Sequence, residues 1–530
     1  MMIHASFSSV RRSRYSRAMF VSLLLTLSLL ILASCGGTST QKSQTSTSGG
    51  NISVGLNADV VTLDPVKSSA LYDRQVMLNI YDTLVRVDQH NQIQPDLATS
   101  WSYTTPTQLV FTLRTDVTFQ DGTPFNADAV VFNINRILTT PSSPRFSELA
   151  SVQSIQAVDA SHVQFTLKSP FSPLLATLTD RSGMMLSPTA VKKLGANLAN
   201  GPVNAGSGPF EFSDWVKGDH LLVKKNPHYW QKDAQGQSLP YLDSVRFKPI
   251  TDSNTEFSNL QTGAIQAADT IAPTDVTTAQ SSSNLVYKQI PGLSFYGFEL
   301  NTKAPPFDNP DVRRAVEWGV NRQEIVTNAL KDTGVVAQGP IAPSSWAFSS
   351  SFTPYSYNIS NAKAALAKAG KSNLSFTMLI SSGSPLGLQI AQFIQSELQP
   401  AGITVVIKQE TFATLLSDTM GFHFQASFLG WSGRPDPDGN IYSYFHTGGG
   451  NNDMQYSNPQ VDTLLDAART SSDQATRTTD YRQAEQMIMQ DAPYVFIYHG
   501  ISIQATTTNV KNFTLLPTGM LTFTNVSLAS

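Results

Sequence analysis

Cysteine is almost missing from this chain. Cys35 is the only one among 530 residues, so no disulfide can form within the chain and a paired redox centre is excluded. Excess positive charge is missing as well. There are 36 Lys and Arg against 39 Asp and Glu, a balance that argues against a basic groove for nucleic acid. Beyond Cys35 no apolar run approaches the roughly 20 residues that a membrane-crossing helix needs. No internal repeat of solenoid period is visible.

Signatures of catalysis and metal binding are also lacking. The HExxH, P-loop, GxSxG and phosphate-cradling GxGxxG patterns do not occur. Ser360 and Lys363 match SxxK, but no KTG follows, and Ser360 stands where a helix N-cap belongs, ahead of Ala364, Ala365 and Leu366. Asp436, Asp438 and Asn440 alternate as in a calcium loop. Gly439, however, falls at the fourth position instead of the sixth, and Thr447 occupies the place of the bidentate Glu. The eight histidines are scattered singly, which is not how metal ligands are spaced. No enzyme, metal site or cofactor is expected.

What is present begins with a leader. Arg11, Arg12, Arg14 and Arg17 precede an apolar stretch from Ala18 to Ala33 that contains no acid, the make-up of a secretion signal. Leu32, Ala33 and Ser34 lead into Cys35 and resemble the lipobox of bacterial lipoproteins, which makes Cys35 the expected lipid attachment point. Residues 36–50 (GGTSTQKSQTSTSGG) have no apolar side chain to bury and should form a flexible tether. Loss of the four leader arginines leaves 32 basic against 39 acidic residues, a mature charge near −7.

The folded part alternates short apolar strands with capped amphipathic helices, the pattern of an α/β protein. Strands are expected at Ile52–Leu56, Leu109–Leu113, Ile403–Ile407 and Ala426–Leu429, and a helix over Tyr72–Val85. Asn126, Asn309 and Asn458 stand as N-caps, the last two followed by Pro310 and Pro459; Pro385 opens a further helix.

Several segments in a fixed order resemble the solute-binding proteins of ABC importers in the oligopeptide, dipeptide and nickel group, known as extracellular solute-binding protein family 5. They are Leu63-Asp64-Pro65, IYDTLVRVD (80–88), PDLATSW (95–101), LVFTLRTDVTFQDGTPFNADAVVF (109–132), GSGPFEF (206–212), KKNPHYW (224–230), PPFDNPDVRRAVEWGVNRQEI (305–325) and NAKAALAKAG (361–370). The resemblance implies a two-lobed, periplasmic-binding-protein-like α/β fold of type II. Lobe one would comprise 51–85, 206–299 and 496–530, with 86–205 as its extra subdomain, and lobe two 300–495. The crossings near Leu300 and Val495 would form the hinge. It further implies a monomeric extracytoplasmic lipoprotein that hands a peptide or peptide-sized solute to a membrane permease. Binding of an opine, sugar or metal chelate, and a sensing or assembly role on the same fold, are the alternatives.

The solute is expected at Gly430–Asn440 (GWSGRPDPDGN), a loop after an apolar strand, where α/β sheets hold ligands. Trp431 would lay an apolar wall, while Arg434 and Asp436 offer opposite charges. In peptide-binding relatives an Asp soon after the matching Gly-Trp receives the α-amino group. Here Arg434 stands nearest that position and the first acid is Asp436, so Arg434 points instead to a carboxylate or phosphate. Tyr72, Tyr296 and Trp346 are further candidates.

Overall fold

A computed structural model describes residues 49–337, 339–350 and 355–529. Cys35 and the leader lie outside the described residues. The organising element is the strand Tyr494–Thr507, 14 residues long. Its first part pairs antiparallel with Phe295–Leu300, from Glu299 opposite Tyr494 to Tyr296 opposite Tyr498. Its second part pairs with Leu285–Pro291, from Pro291 opposite Ile501 to Leu285 opposite Thr507. One strand therefore joins two groups of strands into a single twelve-stranded sheet.

In the first group Asn51–Leu56 lies parallel to Ser244–Pro249 on one side and to Ala267–Ala268 on the other. In the second, Ala426–Trp431 lies between Phe295–Leu300 and Leu374–Ser381, which in turn runs parallel to Ile403–Glu410. A separate antiparallel sheet carries Ala98–Thr105, Gln108–Leu113, His162–Leu167 and Val152–Ala157. Parallel strands joined through helices, with an antiparallel sheet beside them, make this a mixed α/β fold.

Apolar residues segregate accordingly. Val54, Phe210, Phe247 and Phe523 share one core. Phe111, Phe165, Leu174 and Leu178 share another, on the antiparallel sheet. Val316, Ile394 and Val405 form a third, and Phe295, Ile441, Tyr444 and Leu465 a fourth. Between the two strand groups the chain passes twice, at 292–294 and at 499–500. There a Cβ on Gly292 would come 2.6 Å from the Gly500 carbonyl oxygen, so close backbone approach requires glycine.

Helix starts fall where the sequence places a capping side chain. Asn126, Asn309 and Asn458 each accept from a first-turn amide. Two expectations are corrected. Ser360 is not the cap of its helix: Asn358 takes that role, accepting from Asn361 N at 3.0 Å, and Ser360 lies exposed in the first turn of Ile359–Lys368. The helix expected over Tyr72–Val85 spans only Leu71–Met77. Asn79 breaks it. Its amide nitrogen donates to Gln75 O and Leu521 O, and its Oδ1 accepts from Phe523 N. The Asn79 and Ile80 carbonyls are taken by Phe210 and Gly208 amides. Partners from distant segments thus replace the helical ladder, and Val85 enters a short strand with Ile93–Pro95.

Candidate functional site

The loop after Ala426–Trp431 is shaped by Asn440. Its Oδ1 accepts from Arg434 N at 2.6 Å and from Trp431 Nε1 at 3.2 Å, while its Nδ2 donates to Arg434 O at 2.9 Å. Gly433 turns the chain at φ +83°, where a Cβ would meet Leu293 at 2.5 Å. Arg434 is thereby held against the Trp431 ring, its Cζ 4.1 Å from the ring centroid. Asp436 accepts from Asp438 N at 2.9 Å, and the helix Asp438–Phe445 follows.

Trp431, Arg434 and Asp436 line one cavity of about 240 Å³, with Asp438, Tyr442 and Arg469 on the same side. The facing wall comes from residues 147–180, including Glu148, Thr177 and Asp180. The two walls belong to different cores, since Leu149, Leu174 and Leu178 pack with the antiparallel sheet and Ile441, Tyr444 and Leu465 with the fourth core. A concave space with apolar walls and a few converging polar groups is the form of a small-molecule site.

Direct bonds cross between the walls. Arg434 Nε lies 3.0 Å from Asp180 Oδ2. Ser172 N donates to Arg469 O at 2.9 Å, and Ser172 Oγ donates to Ser471 O. Behind Asp180 stand Arg74 (3.0 Å), Arg181 (3.5 Å) and Arg145, which pairs with Glu148 at 2.6 Å. Burial by itself would raise the Asp180 carboxyl, but Arg74, Arg434, Arg181 and Arg145 together hold it well below the usual carboxylate range. The cost appears on the cations: burial lowers Arg434 to about 9 and Arg145 to about 10.

The other charges of the cavity have partners. Asp436 Oδ1 is 2.6 Å from Arg477; burial raises its pKa and Arg477 opposes the rise. Asp438 receives two bonds from Arg469, at 2.8 and 3.0 Å. Arg469 in turn covers the Tyr442 ring, its Cζ 3.2 Å from the centroid.

Tyr72, Tyr296 and Trp346 do not line this cavity. Trp346 stands behind it, half-buried, with the Arg477 guanidinium 5.1 Å from its ring centroid and Tyr481 at 6.2 Å. Tyr296 stacks on Tyr498 at 4.7 Å and 11°. Tyr72 belongs to that neighbourhood: burial drives its hydroxyl pKa well above 10, with Asp269, Tyr296 and Glu256 adding to the rise. Asp269 follows the strand Ala267–Ala268 and accepts from Asn57 N at 3.3 Å, past the carboxyl ends of two parallel strands. The sequence reading missed Asp180, Glu148, Arg469 and Asp269. In the sequence Asp438 stands out only through its calcium-like alternation with Asp436 and Asn440. No local pattern marks Asp180 and Asp269, because apart from Arg181 beside Asp180 their partners are remote in the chain.

Comparison with known proteins agrees with this architecture. Residues 92–452 match the model of the bacterial extracellular solute-binding proteins, family 5. The glutathione-binding protein GsiB of Escherichia coli K12 is 29% identical over 493 residues, covering 90% of this chain and 94% of that protein. Among solved structures, the periplasmic binding protein DppA of Helicobacter pylori in complex with the peptide STSA superposes with a TM-score of 0.83 at 27% identity, covering 91% and 99% of the two chains. The binding protein AgaA of A. tumefacien R10 with agropinic acid gives 0.83 at 26% identity, covering 91% and 99%. The chain belongs to family 5 of the bacterial extracellular solute-binding proteins, the solute receptors of ABC importers.

Proposed function

We propose that this protein captures a peptide-sized solute in the cavity between residues 147–180 and 431–469 and delivers it to the permease of an ABC importer. The observation that carries the reading is the origin of the cavity walls, which belong to two separate cores tied by Asp180–Arg434. The reading keeps the two lobes that the family resemblance implies and puts the hinge at the passages 292–294 and 499–500, where the long strand changes partners. Rotation at these glycine-bearing passages would open and shut the cavity. Glutathione is the first candidate because a relative covering nearly the whole chain binds it. An opine acid is the second, since AgaA carries agropinic acid.

A ligand moves an open population shut only through contacts present in the closed state, and a shift from 1:99 to 99:1 takes about 5.5 kcal/mol of differential affinity. Small-angle scattering with and without glutathione, then with an opine acid, should show compaction with one of them. Unchanged scattering with every solute that binds would reject a closing receptor in favour of a sensing or assembly protein. Anchoring through acylated Cys35 completes the proposal: Cys35→Ser should move the protein from the membrane pellet to the soluble fraction, and retention in the pellet would refute the lipid anchor.

A further inference from the structure

The cluster across the cavity is unbalanced. Arg74, Arg145, Arg181 and Arg434 face three carboxylates, Asp180, Glu148 and, through Arg181, Asp73, an excess of one positive charge. The four arginines and Asp180 are each less than a tenth exposed. Arginine keeps its charge at neutral pH even where burial lowers it to about 9 or 10. A buried excess of this kind is costly unless a counter-charge completes it.

The position of the missing charge follows from which donors are open. Arg434 Nε is committed to Asp180, and its Nη1 donates to Ser432 Oγ at 3.2 Å and Gly433 O at 2.8 Å. Its Nη2 is buried without a partner, on a residue that lines the cavity. Arg469, the other guanidinium of the wall, already holds Asp438 with two bonds. The carboxylates of the wall offer no comparable opening to a cation: Asp436 is taken by Arg477, Asp438 by Arg469, Glu148 by Arg145 and Ser182, and Asp180 by three arginines.

We infer that the solute is a carboxylic acid, seated with one carboxylate against Arg434 and its remaining bulk along Trp431 and Tyr442. This rests on the solute-binding reading above and adds the chemical class of the solute. An α-amino group finds no free acceptor at Asp436, because that carboxylate is spent on Arg477. One carboxylate matches the excess of one charge; a neutral or purely cationic solute would leave it unmet.

Titration calorimetry on the full-length protein tests the inference with glutathione, which has two carboxylates, and with its diethyl ester, which has none. The same assay is run on tri-alanine, tri-alanine amide and glycerol 3-phosphate. Acids should bind at least tenfold more tightly than their esters or amides. Arg434→Gln should erase that ratio, while Arg434→Lys should retain part of it. In parallel, mass spectrometry identifies whatever solute is released when the protein isolated from its own cells is denatured; a carboxylic acid is expected. Esters, amides or the phosphate binding as well as the acids, or a released solute without a carboxylate, would overturn the inference and leave solute binding intact. Absence of any bound solute in both assays would overturn the solute-binding reading, and this inference with it.

Discussion

Asp180 and Asp269 are 3% and 9% exposed, yet burial has opposite results at the two places. Around Asp180 four guanidiniums outweigh the loss of water, and the carboxyl stays ionised far into the acid range. Around Asp269 no cation among the described residues answers. Burial there raises its carboxyl to about 7, and burial together with Asp269 raises Glu256 to about 10, so the two behave as one acidic pair. The neighbours include Tyr72 and Tyr296, which are uncharged. Depth of burial therefore says little about charge until the partners are known. One region is a charged site with an unmet anion requirement, and the other is a proton-holding pair.

The sharpest way to break this contrast is to remove the acid that three arginines share. Asp180→Ala should cost about 3–5 kcal/mol, the usual penalty for leaving a buried charge without its partner, read by urea denaturation at neutral pH. A loss below about 1 kcal/mol would mean that water already reaches the guanidiniums and that the cluster is not a dry one.

A somewhat smaller effect is expected at the acidic pair, and it depends on pH. A native carboxyl that titrates near 7 keeps a proton that the unfolded chain has released above about 4. Stability is therefore fully present below the unfolded value and falls as pH rises toward 7, by on the order of 2–4 kcal/mol. Asp269→Asn should make this fall shallower, leaving the part that Glu256 contributes, so that the variant gains on the parent between about pH 5 and pH 8. Parallel melting curves over that window, with no gain for the variant, would show that Asp269 is ionised in the native state.

The smallest effect sharpens the arginine side. Asn440 makes three bonds that shape the Trp431–Arg434 loop, so Asn440→Ala should cost about 1–3 kcal/mol through unpaired buried groups. It should also weaken binding of a carboxylate solute. If affinity stays unchanged, the Asp180 pair alone positions Arg434 and the loop is only a turn.

Legibility in the sequence follows the range of the interaction. Asn126, Asn309 and Asn458 were readable as caps because side chain and amide lie within one turn. The same logic erred by two residues at Ser360, where Asn358 offers an equally good oxygen, and it overran at Tyr72–Val85, where partners such as Leu521 and Phe523 are invisible to local periodicity. Trp431, Arg434 and Asp436, which line the cavity, are legible as members of a strand-end loop because an apolar strand followed by a polar glycine-rich turn marks one. Tyr72 and Tyr296 were named one by one from their places along the chain, without the Asp269 neighbourhood that joins them.

The sequence by itself determined the α/β alternation, the order of family segments and the loop that reaches the cavity, since all of these are written in short-range patterns of polarity, caps and turns. Tertiary structure alone decided which charge that loop presents. Asp436 meets Arg477 and Arg434 meets Asp180 only after distant segments pack together, and electrostatic energy depends on distance in space and on exclusion of water, neither of which the order of residues records.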